Sequence, residues 1–328
     1  MNSNMSCVEK IYNTLYCDDT KIILKNLFRQ FYNEYDGFVI QIGSSREMNN
    51  PKDMLYGDKT FLLFTWWCLN LLKQKIHFSD PRETKFEKSL LSFYSKQKYT
   101  YNYFIELPDY IEYQDDIDTT SEFGSFLLLN GSKRSTDVIE NVDHIIKELQ
   151  NNVNDQKIIK NFFGQNHKRA NRSNDLGMLI NTMRLFYMKK LDEQIYDTEQ
   201  YVLNILSNDF IEYHYPTDFI LFLLARAIVN SSQAKNLFSK IVIERCLKRY
   251  DKTEFVTDIA YRIVACRLLD IPKEHPFIIT QKSILKNRQG LDGFWELEGM
   301  YSAPHSEKNL YVGSKVWSTV ICLVAWHI

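Results

Sequence analysis

Apolar residues recur three or four positions apart through most of the chain, which is the spacing of one face of an α-helix. Phe219, Phe222 and Leu223 show this spacing, and residues 319–326 repeat it near the C-terminus. Short polar breaks such as Asn130–Gly131 separate the helical segments, and strict apolar–polar alternation, which would predict strands, is scarce. The pattern therefore predicts an all-α fold of about ten to twelve helices.

The helices and the polar breaks alternate with a regular cadence, although no exact sequence repeat is present. This cadence predicts paired helices wound into a ring, that is, an α/α toroid with an inner and an outer ring of helices. The most polar interval, residues 150–175, predicts a long surface loop rather than an interdomain linker, because helical patterning resumes at Leu176. We therefore expect residues 1–328 to form a single toroid domain.

Composition and charge exclude several classes of protein. With 40 basic and 41 acidic residues, the net charge of −1 provides no broad positive field for a nucleic-acid partner. The longest apolar stretch, Phe61–Leu72, is too short to cross a bilayer, and the N-terminus lacks the core of a signal peptide. The six cysteines are scattered without C-x-x-C spacing, so we expect buried free thiols, a cytoplasmic protein and no metal site built on cysteine. The oligomeric state is left open.

An acidic segment, residues 115–122, precedes the apolar run that begins at Phe123. It has the form of a helix start, because Thr119 and Glu122 have the spacing of a capping box. One interpretation is that its acids only complement a helix N-terminus.

Asp116–Thr120, with the sequence D-I-D-T-T, also resembles the D-x-D-D-T motif of class II terpene cyclases, and in particular its D-x-D-T-T variant. In that family the aspartate that matches Asp118 protonates a terminal alkene or epoxide. The resemblance thus implies an α/α toroid in which Asp118 is the general acid, Asp116 holds its proton in place and Thr119 or Thr120 orients the pair. Burial and a second carboxylate raise the pKa of such an acid, whereas a helix N-terminus lowers it.

Further segments resemble the same family in the family's order. Gln289–Trp295 is similar to the Q-x-x-x-G-x-W repeat, which has a structural role, and Tyr311–Ser314 is similar to the opening of an inner helix. Asp175–Phe186 resembles a helix whose asparagine, here Asn181, faces the cavity; a surface amide is the alternative. The segment from Tyr213 to Ala227 resembles another family segment and implies a substrate-binding role for Tyr213.

The resemblance predicts a linear isoprenoid as the substrate, with a prenyl diphosphate such as farnesyl or geranylgeranyl diphosphate as the first candidate. Basic side chains would then hold the diphosphate, with Mg²⁺ as a candidate cofactor. Arg226 is one candidate because it lies on an otherwise apolar helix, and the loop residues Lys168, Arg169 and Arg172 are others. Adjacent tryptophans on a helix cannot face the same way, so at most one of Trp66 and Trp67 faces the cavity. We take Trp66 as the substrate-binding candidate.

Other functions of a toroid fit the sequence less well. A class I synthase needs a D-D-x-x-D site for magnesium diphosphate, and Asp115–Asp116 is followed by Thr119 where the third carboxylate belongs. A protein prenyltransferase β-subunit needs a zinc set with a D-x-C pair, which none of the six cysteines provides. The remaining alternative to a class II cyclase is a non-catalytic toroid that binds a lipid or a partner protein.

Overall fold

The computed structural model describes residues 20–30, 40–48, 51–53, 58–94, 98–102, 114–130, 136–163, 175–208, 215–252, 254–303 and 310–328. Within these ranges the chain forms twelve α-helices. They are α1 (20–30), α2 (Lys59–Ile76), α3 (Pro81–Ser92), α4 (Ile117–Asn130), α5 (Thr136–Asn151), α6 (Leu176–Lys189), α7 (Tyr196–Ser207), α8 (Thr217–Ile228), α9 (Ser232–Lys248), α10 (Val256–Leu268), α11 (Pro276–Asn287) and α12 (Lys315–His327). A short 3-10 helix, Asp192–Ile195, precedes α7.

The even-numbered helices form a closed inner ring. Each contacts the next, from α2 through α4, α6, α8 and α10 to α12, and α12 contacts α2 again. Inner helices are covered on all sides, so residues Asp218–Ile228 of α8 are all buried, and such a helix is apolar around most of its circumference. The odd-numbered helices lie outside and bury one stripe each: α9 buries Ala234, Phe238, Val242 and Cys246, four residues apart. The prediction of an all-α toroid with two rings is confirmed.

The inner helices run parallel, so their N-termini lie together at one end of the ring, the N-terminal end. Thr60 in the first turn of α2 meets Thr119 in the first turn of α4, with 2.9 Å between their hydroxyl oxygens. Ser121 of α4 meets Thr182 of α6 at the same distance, 2.9 Å. Since inward-facing side chains lean toward the start of their helix, the polar groups near the helix starts converge at this end.

A small antiparallel sheet also lies at the N-terminal end. Its strands are β1 (Gln41–Gly43), β2 (Lys52–Asp53), β3 (Gly299–Ala303) and β4 (Leu310–Gly313), in the order β2-β1-β4-β3. β4 leads directly into Ser314, which caps α12 by accepting from the Val316 amide at 3.1 Å. A Cβ atom at Gly313 would lie 2.2 Å from the Glu298 carbonyl oxygen, so this position requires glycine. The segment Tyr311–Ser314 is thus the opening of an inner helix.

The segment Gln289–Trp295 joins an outer helix to an inner one. The Trp295 indole donates to the Leu285 carbonyl of α11 at 2.8 Å, and its backbone amide donates to Thr319 Oγ1 of α12 at 3.3 Å. Gln289 stabilises the turn itself by donating to the Gly293 carbonyl at 2.8 Å. The segment Gln289–Trp295 therefore connects α11 and α12 structurally.

Cys68, Cys246, Cys266 and Cys322 are buried free thiols, as the sequence predicts; the other two cysteines, Cys7 and Cys17, lie outside the described residues. No helix within the described ranges has the length and apolar character needed to cross a membrane. That the whole chain is one domain stays a prediction.

Candidate active site

Asp116 is the N-cap of inner helix α4. Its carboxylate accepts from the Thr119 amide at 2.7 Å and from the Thr119 hydroxyl at 3.1 Å. Its backbone is fixed on both sides, because the Asp116 amide donates to Tyr101 O and the next amide, of Ile117, donates to Asn161 O, both at 3.0 Å. The predicted capping box of Thr119 and Glu122 is therefore wrong. Asp116, three residues before Thr119, caps the helix instead, and the Glu122 side chain faces the interior of the ring.

Asp118 lies in the first turn of the same helix and is 8% exposed. Its Oδ1 accepts a hydrogen bond of 2.7 Å from Nδ2 of Asn181, which is buried on α6. The structure thus brings together four of the predicted site residues: Asp116, Asp118, Thr119 and Asn181. Among the described residues, Asn181 makes the one hydrogen bond seen to the Asp118 side chain.

The orientation of the Asn181 side-chain amide determines which oxygen of the Asp118 carboxyl group can carry the proton. Arg226 Nη2 donates to Asn181 Oδ1 at 2.6 Å, and a guanidinium can only donate. The amide nitrogen of Asn181 must therefore face Asp118, whose Oδ1 acts as an acceptor. A proton on the Asp118 carboxyl group consequently belongs on Oδ2, which Asn181 does not contact.

A buried ion network holds Arg226 in place behind Asn181. The Arg226 guanidinium pairs with both carboxylate oxygens of Glu122, one of them Oε2 at 3.1 Å from Nη1. Arg184 of α6 adds a second contact to Glu122, with 3.3 Å between Nη1 and Oε2. The Asp118 site is thus anchored by α4, α6 and α8 together.

Burial keeps Asp118 protonated at neutral pH. Removal from water raises the pKa of Asp118 to about 8, the hydrogen bond from Asn181 opposes this, and the negative charges of Glu122, Asp175 and Asp58 add to it. The pKa of Asp116 is also raised well above its ordinary value, by burial first and then by the charge of Asp118. The predicted competition between burial and the helix N-terminus is therefore decided in favour of the neutral acid.

A further buried carboxyl group, that of Asp58, lies beside this site. Asp58 caps α2 by accepting from the Phe61 amide at 2.9 Å, and Tyr301 of β3 donates its hydroxyl to the other oxygen. Burial raises the pKa of Asp58 to about 7, against these hydrogen bonds. Tyr301 in turn lies against Tyr215, with 5.8 Å between ring centroids, and both rings are half-buried. Asp58 and the two tyrosines thus border the N-terminal end next to Asp118.

Aromatic side chains fill the ring below these polar groups. A connected cluster of rings, with centroids 5.1–6.5 Å apart, is formed by Phe64, Phe219, Phe222, Tyr261 and Trp317. Of the two adjacent tryptophans, Trp67 contacts this cluster, at 5.8 Å from the Phe222 ring. Trp66 instead packs edge-on against Phe126 of α4 at 4.7 Å, so the candidate chosen from the sequence lies between two inner helices.

Of the residues predicted to bind a head group, Arg226 lies within the described part of the chain, and its side chain is buried. Arg226 is 1% exposed, and its guanidinium stacks on the Phe64 ring at 4.5 Å while its Nη atoms bind Glu122 and Asn181. The Arg226 guanidinium is therefore bonded within the protein, and its contact with an anionic head group stays a prediction. The other candidates, Tyr213, Lys168, Arg169 and Arg172, lie outside the described residues.

The described residues do not fit a Mg²⁺ site of their own. No group of three or more histidine, cysteine, aspartate or glutamate side chains is arranged around a metal position in the described part of the chain. The carboxyl groups of Asp116 and Asp58 already accept hydrogen bonds as helix caps. The raised pKa of Asp118 keeps its carboxyl group neutral, whereas Mg²⁺ prefers ionised oxygen ligands.

Sequence reasoning missed Glu122 and Arg184 as members of the site, and Asp58 with Tyr301 beside it. Glu122 had a usable signal, because it lies four residues after Asp118 and so shares its face of the helix. The contact between Tyr301 and Asp58 joins residues 243 positions apart and has no local signal.

The raised pKa of Asp118 predicts a pH-dependent stability difference. A carboxyl group with a raised folded-state pKa stabilises the fold fully below its unfolded value of 3.8, and this contribution is lost as pH rises through about 8. Asp118→Asn removes the titration, so its melting temperature should exceed that of the wild type by an amount that grows from about pH 5 to about pH 8, to roughly 5 °C. Melting curves of both proteins across this range test it; a constant difference would show that Asp118 ionises normally.

Solved structures share this fold. A protein from Actinoplanes superposes with a TM-score of 0.64 at 10% identity, over 94% of this chain and 98% of that one. The type II terpene cyclase MstE from Scytonema gives 0.62 at 11% identity, over 94% and 97%. A sugar epimerase from a ruminal bacterium gives 0.60 at 10% identity, over 93% and 96%.

These similarities establish the fold: an α/α toroid of the kind seen in a type II terpene cyclase and in a sugar epimerase. No protein-family model and no curated protein sequence matches the chain. Since sequence identity is 10–11%, the activity has to be argued from the site itself.

Proposed function

We propose that this protein is a class II terpene cyclase in which Asp118 protonates the terminal alkene of a linear isoprenoid. The observation that carries the proposal is a buried aspartic acid that holds its proton at neutral pH, with its free oxygen on the side away from Asn181. A carboxyl group can act as a general acid near pH 7 only when its environment raises its pKa in this way. MstE, with the same fold, is a type II terpene cyclase seen with geranylgeranyl dihydroxybenzoate as its substrate.

The reaction is an isomerisation. The Oδ2–H bond of Asp118 breaks as a new C–H bond forms at the terminal alkene, and the alkene's electron pair is used in that bond. The tertiary carbocation left behind is attacked by the next alkene of the chain, which closes a ring. A water molecule accepts a proton from the final cation, whose C–H electron pair becomes the new C=C bond of the neutral product, and solvent returns a proton to the Asp118 carboxylate.

The substrate would lie at the N-terminal end of the ring, where Asp118 keeps its small exposed surface. There the half-buried rings of Tyr215 and Tyr301 lead to Phe219, which is 5.5 Å from Tyr215 between centroids. Aromatic faces stabilise a nearby cation, more strongly when water is excluded. Two kinds of head group are compatible with this proposal: a diphosphate, held by Lys168, Arg169 and Arg172, and an uncharged or carboxylate group.

The fold alone does not separate a cyclase from a sugar epimerase or from a binding toroid. A sugar needs several free hydrogen-bonding groups, whereas Asp116, Asn181, Arg226 and Asp58 are already bonded to one another or to backbone in the described part of the site. Of the buried acids at the site, Asp58 and Asp116 cap helices, whereas Asp118 accepts its one hydrogen bond seen among the described residues from the Asn181 side chain and so has no capping role. The site therefore favours protonation of a hydrocarbon.

Incubation in D₂O tests the proposal most directly. The full chain is incubated with farnesyl diphosphate, geranylgeranyl diphosphate and geranylgeranyl dihydroxybenzoate, followed by phosphatase treatment of the diphosphates and mass spectrometry. We expect from one of them a cyclic isomer of the substrate in H₂O that carries one added deuterium in D₂O, and no such product with Asp118→Asn. If folded protein converts none of the three, and binds them equally well with Asp118→Asn, the protein is a binding toroid.

A further inference from the structure

Two buried arginines share one buried glutamate behind the acid. Arg226 contacts both oxygens of Glu122, and Arg184 contacts Oε2 of the same carboxylate at 3.3 Å. The exposed fractions of the three side chains are 0% for Arg226, 4% for Arg184 and 2% for Glu122. The ion network therefore carries one positive charge in excess while Asp118 is neutral.

Stability does not account for the second arginine. Arg226 alone would balance Glu122, and a further buried charge costs free energy unless it has its own partner. The Nε atoms of both arginines are buried without a hydrogen-bond partner in the described part of the chain. Burial, together with the charge of Arg226, lowers the pKa of Arg184 to about 9, so its positive charge is held against an unfavourable environment.

The excess charge becomes useful when Asp118 gives up its proton. Asp118 then turns negative, and the network formed by Asp118, Asn181, Arg226, Glu122 and Arg184 becomes neutral overall. The positions connect through a continuous chain of contacts, since Arg226 binds Asn181 at 2.6 Å and Asn181 binds Asp118 at 2.7 Å. A fixed positive charge in a low-dielectric interior stabilises the anion that forms there.

The other charged groups around Asp118 work in the opposite direction. Carboxyl groups face it from three sides: Asp58 at the start of α2, Asp175 at the start of α6, and Asp116 and Glu122 on its own helix. Lys59 of α2 lies beside Asp116 and Asp115, and its own pKa is lowered by burial to about 8. Among the described residues, Arg226, which reaches Asp118 through Asn181, and Arg184, which shares Glu122 with it, supply positive charge on the interior side of the acid.

We infer that Arg184 is a positioning residue whose buried charge, acting through Glu122 and Arg226, makes Asp118 a stronger proton donor. The inference rests on the proposed function, because it assigns Arg184 a task in the same protonation step. Arg184 does not touch the substrate in this arrangement. Its effect is measurable on Asp118 in the free protein, independently of any turnover.

The test is the titration of Asp118 in variants of Arg184. The protonated carboxyl group is followed by infrared difference spectroscopy, with Asp118→Asn identifying its band. Arg184→Met and Arg184→Gln remove the charge, and we expect either to raise the pKa of Asp118 by roughly one unit. Arg184→Lys keeps the charge and should leave the titration near that of the wild type. Arg184→Gln retains a polar contact to Glu122 and serves if the methionine variant folds poorly.

Arg249→Met is the matched control. Arg249 and Arg262 share Asp218, at 2.8 and 2.9 Å, in a two-to-one arrangement between α8 and α10, and the Arg249 side chain is 32% exposed. Its removal should leave the titration of Asp118 unchanged. If the protein converts an isoprenoid, Arg184→Gln should also lower kcat for that substrate by up to roughly tenfold at unchanged KM. It should also move the alkaline limb of the pH–rate profile to higher pH.

An unchanged Asp118 titration in Arg184→Gln overturns the inference, as does an equal shift in Arg184→Lys. A wild type that converts no isoprenoid overturns the proposed function instead, while the titration still decides whether Arg184 tunes the acid. The two failures are therefore distinguishable.

Discussion

Asp118→Asn is expected to lower product formation by a factor of about 10³ or more, while the protein folds and still binds substrate. The amide has nearly the shape of the acid and still accepts the hydrogen bond from Asn181, which is 2.7 Å long in the wild type. It has no acidic proton to give to an alkene. Turnover is followed by mass spectrometry, and substrate binding by the rise in melting temperature that a ligand of the folded state produces.

Asp116→Asn is the control for this result. Asparagine caps a helix about as well as aspartate, so Thr119 keeps its partner and the turn that carries Asp118 is retained. We expect a loss of turnover at least tenfold smaller than for Asp118→Asn. Equal losses would mean that both carboxyl groups take part in the chemistry, and full activity of Asp118→Asn would reduce the acidic motif to a helix cap.

Glu122→Gln is expected to destabilise the protein by about 3–5 kcal/mol, the largest stability effect that we predict for a single substitution. The neutral amide cannot compensate two guanidinium groups whose side chains are 0% and 4% exposed. Repulsion between Arg184 and Arg226 then remains without a counter-charge. Urea unfolding followed by circular dichroism gives the change in the free energy of unfolding.

Glu199→Gln provides the comparison within the same fold. Glu199 is 1% exposed and accepts a hydrogen bond of 2.7 Å from the Tyr187 hydroxyl, and no cation is paired with it among the described residues. Its replacement should cost about 1 kcal/mol or less. If Glu122→Gln is no more costly than Glu199→Gln, the buried network does not stabilise the fold through charge.

The site was predicted from sequence only where its signal is local. The acidic turn at Asp116–Thr120 lies within five consecutive residues and marks the start of an inner helix, so Asp118 could be singled out before any packing was known. Asn181 was open between a cavity-facing and a surface role. It is buried beside Asp118 because α4 and α6 are neighbours in the inner ring, which no local pattern specifies.

Arg226 shows how a correct observation from sequence leads to an incomplete interpretation. An arginine on an apolar helix has to find a partner, and the sequence offered an anionic substrate as one answer. Tertiary structure supplies another, Glu122 on a helix 104 residues away. Glu122 is a similar case: its local spacing suggests a capping box, but its side chain is buried and binds Arg226 and Arg184.

By itself, the sequence determined the helices, the two-ring architecture and the position of the candidate acid, because helical periodicity and helix starts are encoded within a turn or two of chain. Only the tertiary structure decided which oxygen of Asp118 can carry a proton, which tryptophan contacts the interior, and that two arginines stand behind one glutamate. Those features depend on side chains from different helices meeting inside a closed ring. Their pKa values and charge balance follow from burial and distance, and neither exists until the ring has closed.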